Sequence, residues 1–136
     1  MARIVLLRHA HSVANEKNLL AGRTAGISLS KKGKEQAKEL IARLGEIAFD
    51  EVAISPLQRC RETIDPWLTS TGAKSRIVVD DSISEVDYGN WSGKTLASLR
   101  RKAQWKVVQD FPSQMTFPDG ESLLEMQGRA LSGFYR

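Results

Sequence analysis

The stretch Ile4-Val5-Leu6-Leu7-Arg8-His9-Ala10-His11-Ser12 decides how the rest of the chain is read. Four apolar residues in succession, of which Ile4 and Val5 are β-branched, read as a short strand buried on both faces. The run stops abruptly at an arginine and a histidine, and in open parallel sheets ligands settle at strand ends of this kind. The pair has a chemical logic as well. A neutral imidazole can attack phosphorus, while the neighbouring guanidinium offers its planar fork to two phosphoryl oxygens. A histidine just past a strand is nevertheless more often a satisfied surface or hinge residue, so the remaining sequence has to carry the argument.

Length and composition set the outer bounds. At 136 residues, with 41% hydrophobic and 26% charged, the chain reads as a single soluble domain over 1–136. No apolar run approaches a membrane span, and Arg8 interrupts the stretch that would have to form a signal-peptide core. The single cysteine, Cys60, excludes an internal disulfide framework and fits a reducing compartment, so a cytoplasmic location is expected. The formal net charge of +4 reads mainly as a solvated basic surface, though it also draws anions. The clusters Lys31-Lys32-Gly33-Lys34 and Arg100-Arg101-Lys102 lack interleaved aromatics, so neither nucleic acid nor membrane is expected as a partner.

Along the chain, Ser30 is a plausible N-cap for a helix whose Ala37, Leu40, Ile41 and Leu44 make one apolar stripe, and Gly45 can end it. Phe49 to Ile54 reads as a second strand, closed by Ser55-Pro56. A helix over Leu57 to Ser70 should kink or restart at Pro66, and Ile77-Val78-Val79 reads as a third strand. Gly89 to Gly93 reads as a turn, Thr95 to Gln109 as one helix with Leu96, Leu99 and Ala103 on a face, and Glu121 to Tyr135 as another helix. The alternation of strands and helices predicts an α/β fold, three-layer α/β/α, around a mainly parallel central sheet.

Three polar groups follow the three expected strands: His9, Arg59 and Glu85. In a parallel sheet the loops after successive strands open on one edge, which brings a nucleophile, a guanidinium and a carboxylate around one crevice.

Arg8-His9-Ala10 resembles the arginine-histidine-glycine signature of the histidine phosphatase superfamily, whose founding members are the cofactor-dependent phosphoglycerate mutases. Ser55-Pro56-Leu57-Gln58-Arg59-Cys60-Arg61-Glu62-Thr63 is similar to that family's second block, and Glu85 to Gly93 to its third, in the family's order. The resemblance implies a phosphohistidine intermediate. His9 would be the nucleophile, and Arg8 and Arg59 would clamp the phosphoryl oxygens. Glu85 would give its proton to the leaving alcohol and then help to activate water. Nearby arginines oppose the protonated form of Glu85, whereas a bound phosphate dianion or Asp87 favours it. Asn15 and Ser12 match positions near the phosphate, with an Asx-turn and a turn cap as their structural alternatives. No cofactor is implied.

The chain departs from the family pattern in several places. Ala10 replaces a glycine, which restricts the backbone there, and His11 stands where glutamate or glutamine is usual. His11 is not assigned a catalytic part. The loop Leu20 to Leu29 lacks the glutamine-glycine pair of the family, which leaves its substrate contacts open. The family's second catalytic histidine, carried after a further strand, has no counterpart, since His9 and His11 are the two histidines present. The expectation is therefore the N-terminal part of a longer domain, C-terminally incomplete and by itself a poor catalyst, with an unpaired strand edge that could drive self-association.

Hydrolysis of a phosphomonoester on a small phosphorylated metabolite is the favoured function. A mutase (an isomerase) is the first alternative, and the short Gly93 to Glu121 segment argues against it because it lacks an elaborate lid. A non-catalytic phosphate-binding module is the second. A cysteine-dependent phosphatase is excluded because the sixth residue after Cys60 is Pro66, not arginine. Asp80, Asp81 and Asp87 are too scattered to build a metal site with His11.

Overall fold

The computed structural model describes residues 3–71 and 74–135. Helix α1 (Val13–Glu16) is one turn, followed by α2 (Lys31–Leu44), β1 (Glu51–Ile54), α3 (Gln58–Ser70) and β2 (Arg76–Val79). Helices α4 (Leu96–Leu99), α5 (Gln104–Asp110) and α6 (Leu123–Phe134) complete the order, with 3₁₀ turns at Asp81–Ile83, Gly89–Trp91 and Pro112–Gln114.

Strands β1 and β2 pair in parallel, with Glu51 opposite Arg76 and Ile54 opposite Val79. The connection between them is α3, the βαβ unit that parallel pairing requires. The α/β class and the parallel sheet are as the sequence predicts, but the first strand is not. Ile4 to Leu7 joins no ladder in the described residues and is exposed throughout, from 43% at Val5 to 83% at Leu6. Its hydrophobic composition suits a doubly buried strand, yet no described strand lies beside it to satisfy its backbone or cover its side chains.

Two apolar clusters hold the chain. The first gathers Leu40 of α2, Ile54 of β1 and Ile64, Trp67 and Leu68 of α3. Ser30 caps α2 by accepting from the Gly33 amide, and Gly45 ends it at φ 58°, as the sequence indicates. The Trp67 indole donates to the Gly45 carbonyl at 2.8 Å, which ties the end of one helix to the middle of the next. Helix α3 runs from Gln58 to Ser70 through Pro66 with no restart. Proline removes one donor there, but Ile64, Trp67 and Leu68 on either side are locked into the core. No β2 side chain joins this cluster, and Ile77 and Val79 stay largely exposed.

The second cluster is Val86, Trp91, Leu99, Met115 and Phe117. The single helix expected over Thr95 to Gln109 is two helices. Between them Lys102 and Trp105 make tighter i to i−3 bonds, to Leu99 and to Lys102 respectively, and Ala103 is exposed. The break allows fully buried Leu99 and Trp105 to reach the same cluster, where Trp105 stacks on Trp91 at 6.2 Å. Helix α6 starts on a capping box between Ser122 and Glu125. Its Leu123 and Met126 pack on the second cluster, whereas Leu124, Leu131 and Phe134 remain exposed. No described helix is long and apolar enough to cross a membrane.

Trp67 is 1% exposed and central to the first cluster. Trp67→Ala is expected to cost about 3–5 kcal/mol of folding stability, read as a lower urea midpoint at unchanged m-value.

Candidate active site

Without a strand ladder at Ile4 to Leu7, hydrogen bonds to the surrounding helices place the histidine. The Ala10 amide donates to Thr63 Oγ1 at 2.9 Å, and the His11 amide to Gln36 Oε1 at 2.9 Å. The Ser30 amide donates to the His11 carbonyl at 2.9 Å. Helix α2 comes so close that a Cβ at Gly33 would lie 1.9 Å from the same carbonyl, so only glycine fits. Ala10 does not have positive φ, so replacing the usual glycine introduces no strain.

One hydroxyl joins the two principal groups. Thr63 Oγ1 accepts from Ala10 and donates to the Arg59 carbonyl at 2.7 Å, one turn back on α3. His9 and Arg59 are thereby fixed to a common point. His9 Nδ1 lies 2.7 Å from the Ala10 carbonyl. A carbonyl can only accept, so Nδ1 carries the proton and Nε2 keeps its lone pair.

Arg8, His9, Ser12, Asn15, Arg59 and Glu85 all border one cavity of about 200 Å³. Leu19, Leu20, Ala21, Gly22, Tyr88 and Leu96 complete its wall, so the loop without the family's glutamine-glycine pair lines it nonetheless. Ser12 is 1% exposed, and its hydroxyl donates to Asn15 Oδ1 and accepts from the Asn15 amide, the capping box of α1. Because the Asn15 amide oxygen is used there, the NH₂ group is the end left for an anion. Arg8, His9 and Asn15 also border an adjoining hollow of about 320 Å³ with His11 and Gln36. His11 Nδ1 bonds the Ser30 hydroxyl at 2.7 Å, and that hydroxyl donates to the His11 carbonyl.

Arg59 is 2% exposed, and among the described residues it enters no ion pair. One Nη2 donor reaches the Gly22 carbonyl at 2.9 Å, while Nε has no hydrogen-bond partner. A buried cation with an unmet donor on a polar cavity is a seat for an anion. His9 titrates below the ordinary imidazole value, chiefly because burial penalises its charged form, with the charges of Arg59 and Arg8 acting in the same direction. The imidazole is therefore neutral at pH 7.

Also bordering the cavity, Glu85 accepts through Oε1 from the Val86 amide at 2.8 Å. Tyr88, pushed up to about 12 by burial and by the charge of Glu85, keeps its proton and donates it to the Glu85 carboxylate. Burial also raises the Cys60 thiol, which packs against the first apolar cluster and remains un-ionised. Among the described residues no three His, Cys, Asp or Glu side chains gather as metal ligands.

Residues 4–136 match the histidine phosphatase superfamily, branch 1, and the chain belongs to that family. It is 33% identical over 140 residues to phosphoserine phosphatase 1 of Hydrogenobacter thermophilus, across 98% of this chain and 63% of that protein. It is 33% identical over 141 residues to the 2,3-bisphosphoglycerate-dependent phosphoglycerate mutase of Parvibaculum lavamentivorans, across 96% of this chain and 64% of that one. The crystal structure of the alpha-ribazole phosphatase from Shigella flexneri superposes with a TM-score of 0.81 at 23% identity, covering 96% of this chain and 64% of that one, a likeness of fold. The chain thus spans a little under two thirds of the length of these relatives.

The residues that local sequence pattern did not single out are Thr63, Gln36, Gly33 and Tyr88. Thr63, Gln36 and Gly33 act across the chain, the Thr63–Ala10 bond spanning 53 positions, while Tyr88 acts on Glu85 three residues away; Thr63 and Tyr88 lie inside the two quoted blocks, but the blocks alone do not show those partners.

Two outcomes test this geometry. Replacing Arg59 with Met should leave anion-free stability unchanged or raise it by about 1–4 kcal/mol, because an uncompensated buried charge is removed. The same variant should lose the rise in Tm that inorganic phosphate gives the parent chain. The His9 imidazole should titrate below 6.5 by NMR. Since the unfolded chain binds that proton more readily, its contribution to stability is complete above about pH 6.5 and is lost as pH falls through the lower folded midpoint.

Proposed function

We propose that this chain carries the phosphate-gripping half of a phosphomonoesterase that works through a phosphohistidine on His9. The observation that carries the reading is the buried, ionically unpaired guanidinium of Arg59 on the same cavity as a neutral imidazole. Phosphatase and mutase relatives at 33% identity support phosphoryl transfer as the reaction type.

In this reading, a phosphate ester enters with its phosphoryl oxygens against Arg59, exposed Arg8 and the Asn15 amide. The His9 Nε2 lone pair forms a bond to phosphorus as the bond from phosphorus to the ester oxygen breaks. Glu85, which takes up a proton when the dianion is brought against it, passes that proton to the departing oxygen. Water then attacks the phosphohistidine and gives a proton back to Glu85, the nitrogen–phosphorus bond breaks, and inorganic phosphate leaves. Guanidinium groups provide the charge neutralisation, so the reaction needs no divalent cation.

Hydrolysis is preferred to mutase transfer because α4 and α5 fold down onto the second apolar cluster. Of the residues in those two helices only Leu96 borders the cavity, and no lid closes over His9 among the described residues. The substrate is a small phosphorylated metabolite, the location the cytoplasm, and neither a cofactor nor a nucleic acid takes part.

Brief reaction of the full-length protein with p-nitrophenyl phosphate, followed by mass spectrometry, should find one acid-labile phosphoryl adduct on His9. His9→Ala should lose both adduct and turnover, a fall of at least about 10³-fold. Cys60→Ala and EDTA should change the rate little. An adduct on any other residue, or loss of activity on chelation, overturns the mechanism.

A further inference from the structure

The proposed acid, Glu85, lies in an irregular segment, and an acid held only by a loop would wander. The backbone around it is nevertheless firmly held by side chains from elsewhere in the chain. The Glu85 carbonyl accepts from two guanidinium groups, Arg23 Nε at 2.8 Å and Arg129 Nη2 at 3.0 Å. Arg129 comes from the middle of α6 and also donates through Nη1 to the carbonyls of Ser82 and Ser84, at 2.8 and 2.7 Å. One fork thus holds three carbonyls on the approach to the acid.

Both arginines are themselves fixed by one carboxylate. Glu121 Oε1 accepts from Arg23 at 3.2 Å and from Arg129, while Oε2 takes Arg129 Nε at 2.9 Å. Glu121 further grips the segment from its other end: Oε1 accepts the Asp87 amide at 2.8 Å, and the Glu121 amide donates to the Asp87 carbonyl at 2.9 Å. Residues 85 and 87 are therefore pinned on either side of Val86, itself buried in the second apolar cluster. Arg129 holds the Glu121 carboxyl below the usual carboxylate range, so the network stays ionised through neutral pH. None of Arg23, Arg129 and Glu121 borders the reaction cavity. A structural ion pair at 15–34% side-chain exposure would contribute little stability by itself, and it does not require five side-chain bonds to the backbone of Ser82, Ser84, Glu85 and Asp87 beside the proposed acid.

We propose that Arg23, Glu121 and Arg129 form a clasp that positions the Glu85 carboxyl for proton delivery to the leaving oxygen. The inference rests on the reading of Glu85 as the proton donor, and it assigns these three as positioning residues. Its consequence is selective. An ester with a poor leaving group, such as an alkyl phosphate, needs the proton at the moment of bond breaking. An aryl ester such as p-nitrophenyl phosphate leaves as a stable phenolate and hardly needs it. Loosening the clasp should therefore slow alkyl esters while sparing the aryl ester.

The test compares glycerol phosphate with p-nitrophenyl phosphate on the full-length protein, using Arg129→Lys, Glu121→Gln and Glu85→Gln. Lysine keeps the charge of Arg129 but cannot reach three carbonyls and a carboxylate together. Arg23→Gln, at the most exposed of the three clasp positions, serves as the variant least exposed to misfolding. For the clasp variants kcat/KM, which reports the steps up to release of the alcohol and not the later hydrolysis of the phosphohistidine, should fall at least about tenfold toward the alkyl ester, with less than about threefold loss toward the aryl ester. Glu85→Gln should show the same discrimination more strongly, and the alkaline limb of the kcat/KM–pH profile toward the alkyl ester should shift with the clasp variants. Equal loss toward both esters, or no loss toward either, overturns the clasp. The underlying reading fails separately: undiminished turnover in His9→Ala condemns the phosphohistidine mechanism, and a Glu85→Gln variant that does not discriminate between the esters removes Glu85 as the proton donor, whatever Arg129 does.

Discussion

A positive charge kept out of water with no carboxylate beside it is the constraint on which this site turns. Burying an ion costs several kcal/mol unless something compensates. Among the described residues the Arg59 guanidinium meets only the Gly22 carbonyl, and its Nε donor goes unmet. Helix α3 can carry that cost because the same thirteen residues also bury Ile64, Trp67 and Leu68. Apolar burial at about 25 cal/mol per Å² outweighs one unfavourable cation, and the helix anchors the charge rather than being expelled by it. The deficit that remains is local and points into the cavity, and an anion would cancel it.

The same logic explains why His9 does not depend on the strand that precedes it. Ile4 to Leu7 has the composition of a central strand but lacks the ladder, and it leaves four apolar side chains in water. The histidine is placed instead by hydrogen bonds from the Ala10 and His11 amides to α3 and α2, and from the Ser30 amide at the cap of α2 to the His11 carbonyl, downstream of the unpaired run. Positional precision at the site therefore comes from two helices packed through Leu40, Trp67 and Leu68. The exposed edge is a liability for association, as unpaired strand-like backbone generally is, but not for the geometry around the imidazole.

What the sequence disclosed follows the range over which each interaction acts. Arg8, His9, Arg59 and Glu85 each sit in a short block with a local pattern, and all four border one cavity. Helix α2 was legible because its cap, stripe and stop lie within sixteen residues, from Ser30 to Gly45. The division of residues 95–110 was not, because propensity favours a continuous helix, while the need to bring both Leu99 and Trp105 onto Trp91 breaks it. The Ile4 to Leu7 strand failed for the complementary reason: composition shows that a segment suits a sheet, but a ladder needs a neighbour. Thr63 closes a quoted block without disclosing its bond to Ala10, 53 positions away, and Glu121 and Arg129 were not singled out because the loop they hold, at Ser82 to Asp87, lies more than thirty positions upstream.

The two apolar clusters divide the proposed chemistry between them. The first fixes the cation and the imidazole, the second fixes the carboxylate, and the cavity lies along the seam. The relative placement of two packed units is soft unless something spans them. Consecutive residues of one loop do so: the Gly22 carbonyl accepts from Arg59, and the Arg23 guanidinium donates to the Glu85 carbonyl. Gly22 takes φ 52°, and a Cβ there would come within 2.9 Å of the Tyr88 ring, so the turn that sends these two groups in different directions is open to glycine and strained for any other residue. The loop also exchanges backbone bonds with the second unit, from Leu20 to Lys94 and from Gly93 to Leu20. The distance between the proposed nucleophile and the proposed acid is thus set by a two-residue strap, and neither core alone would define it.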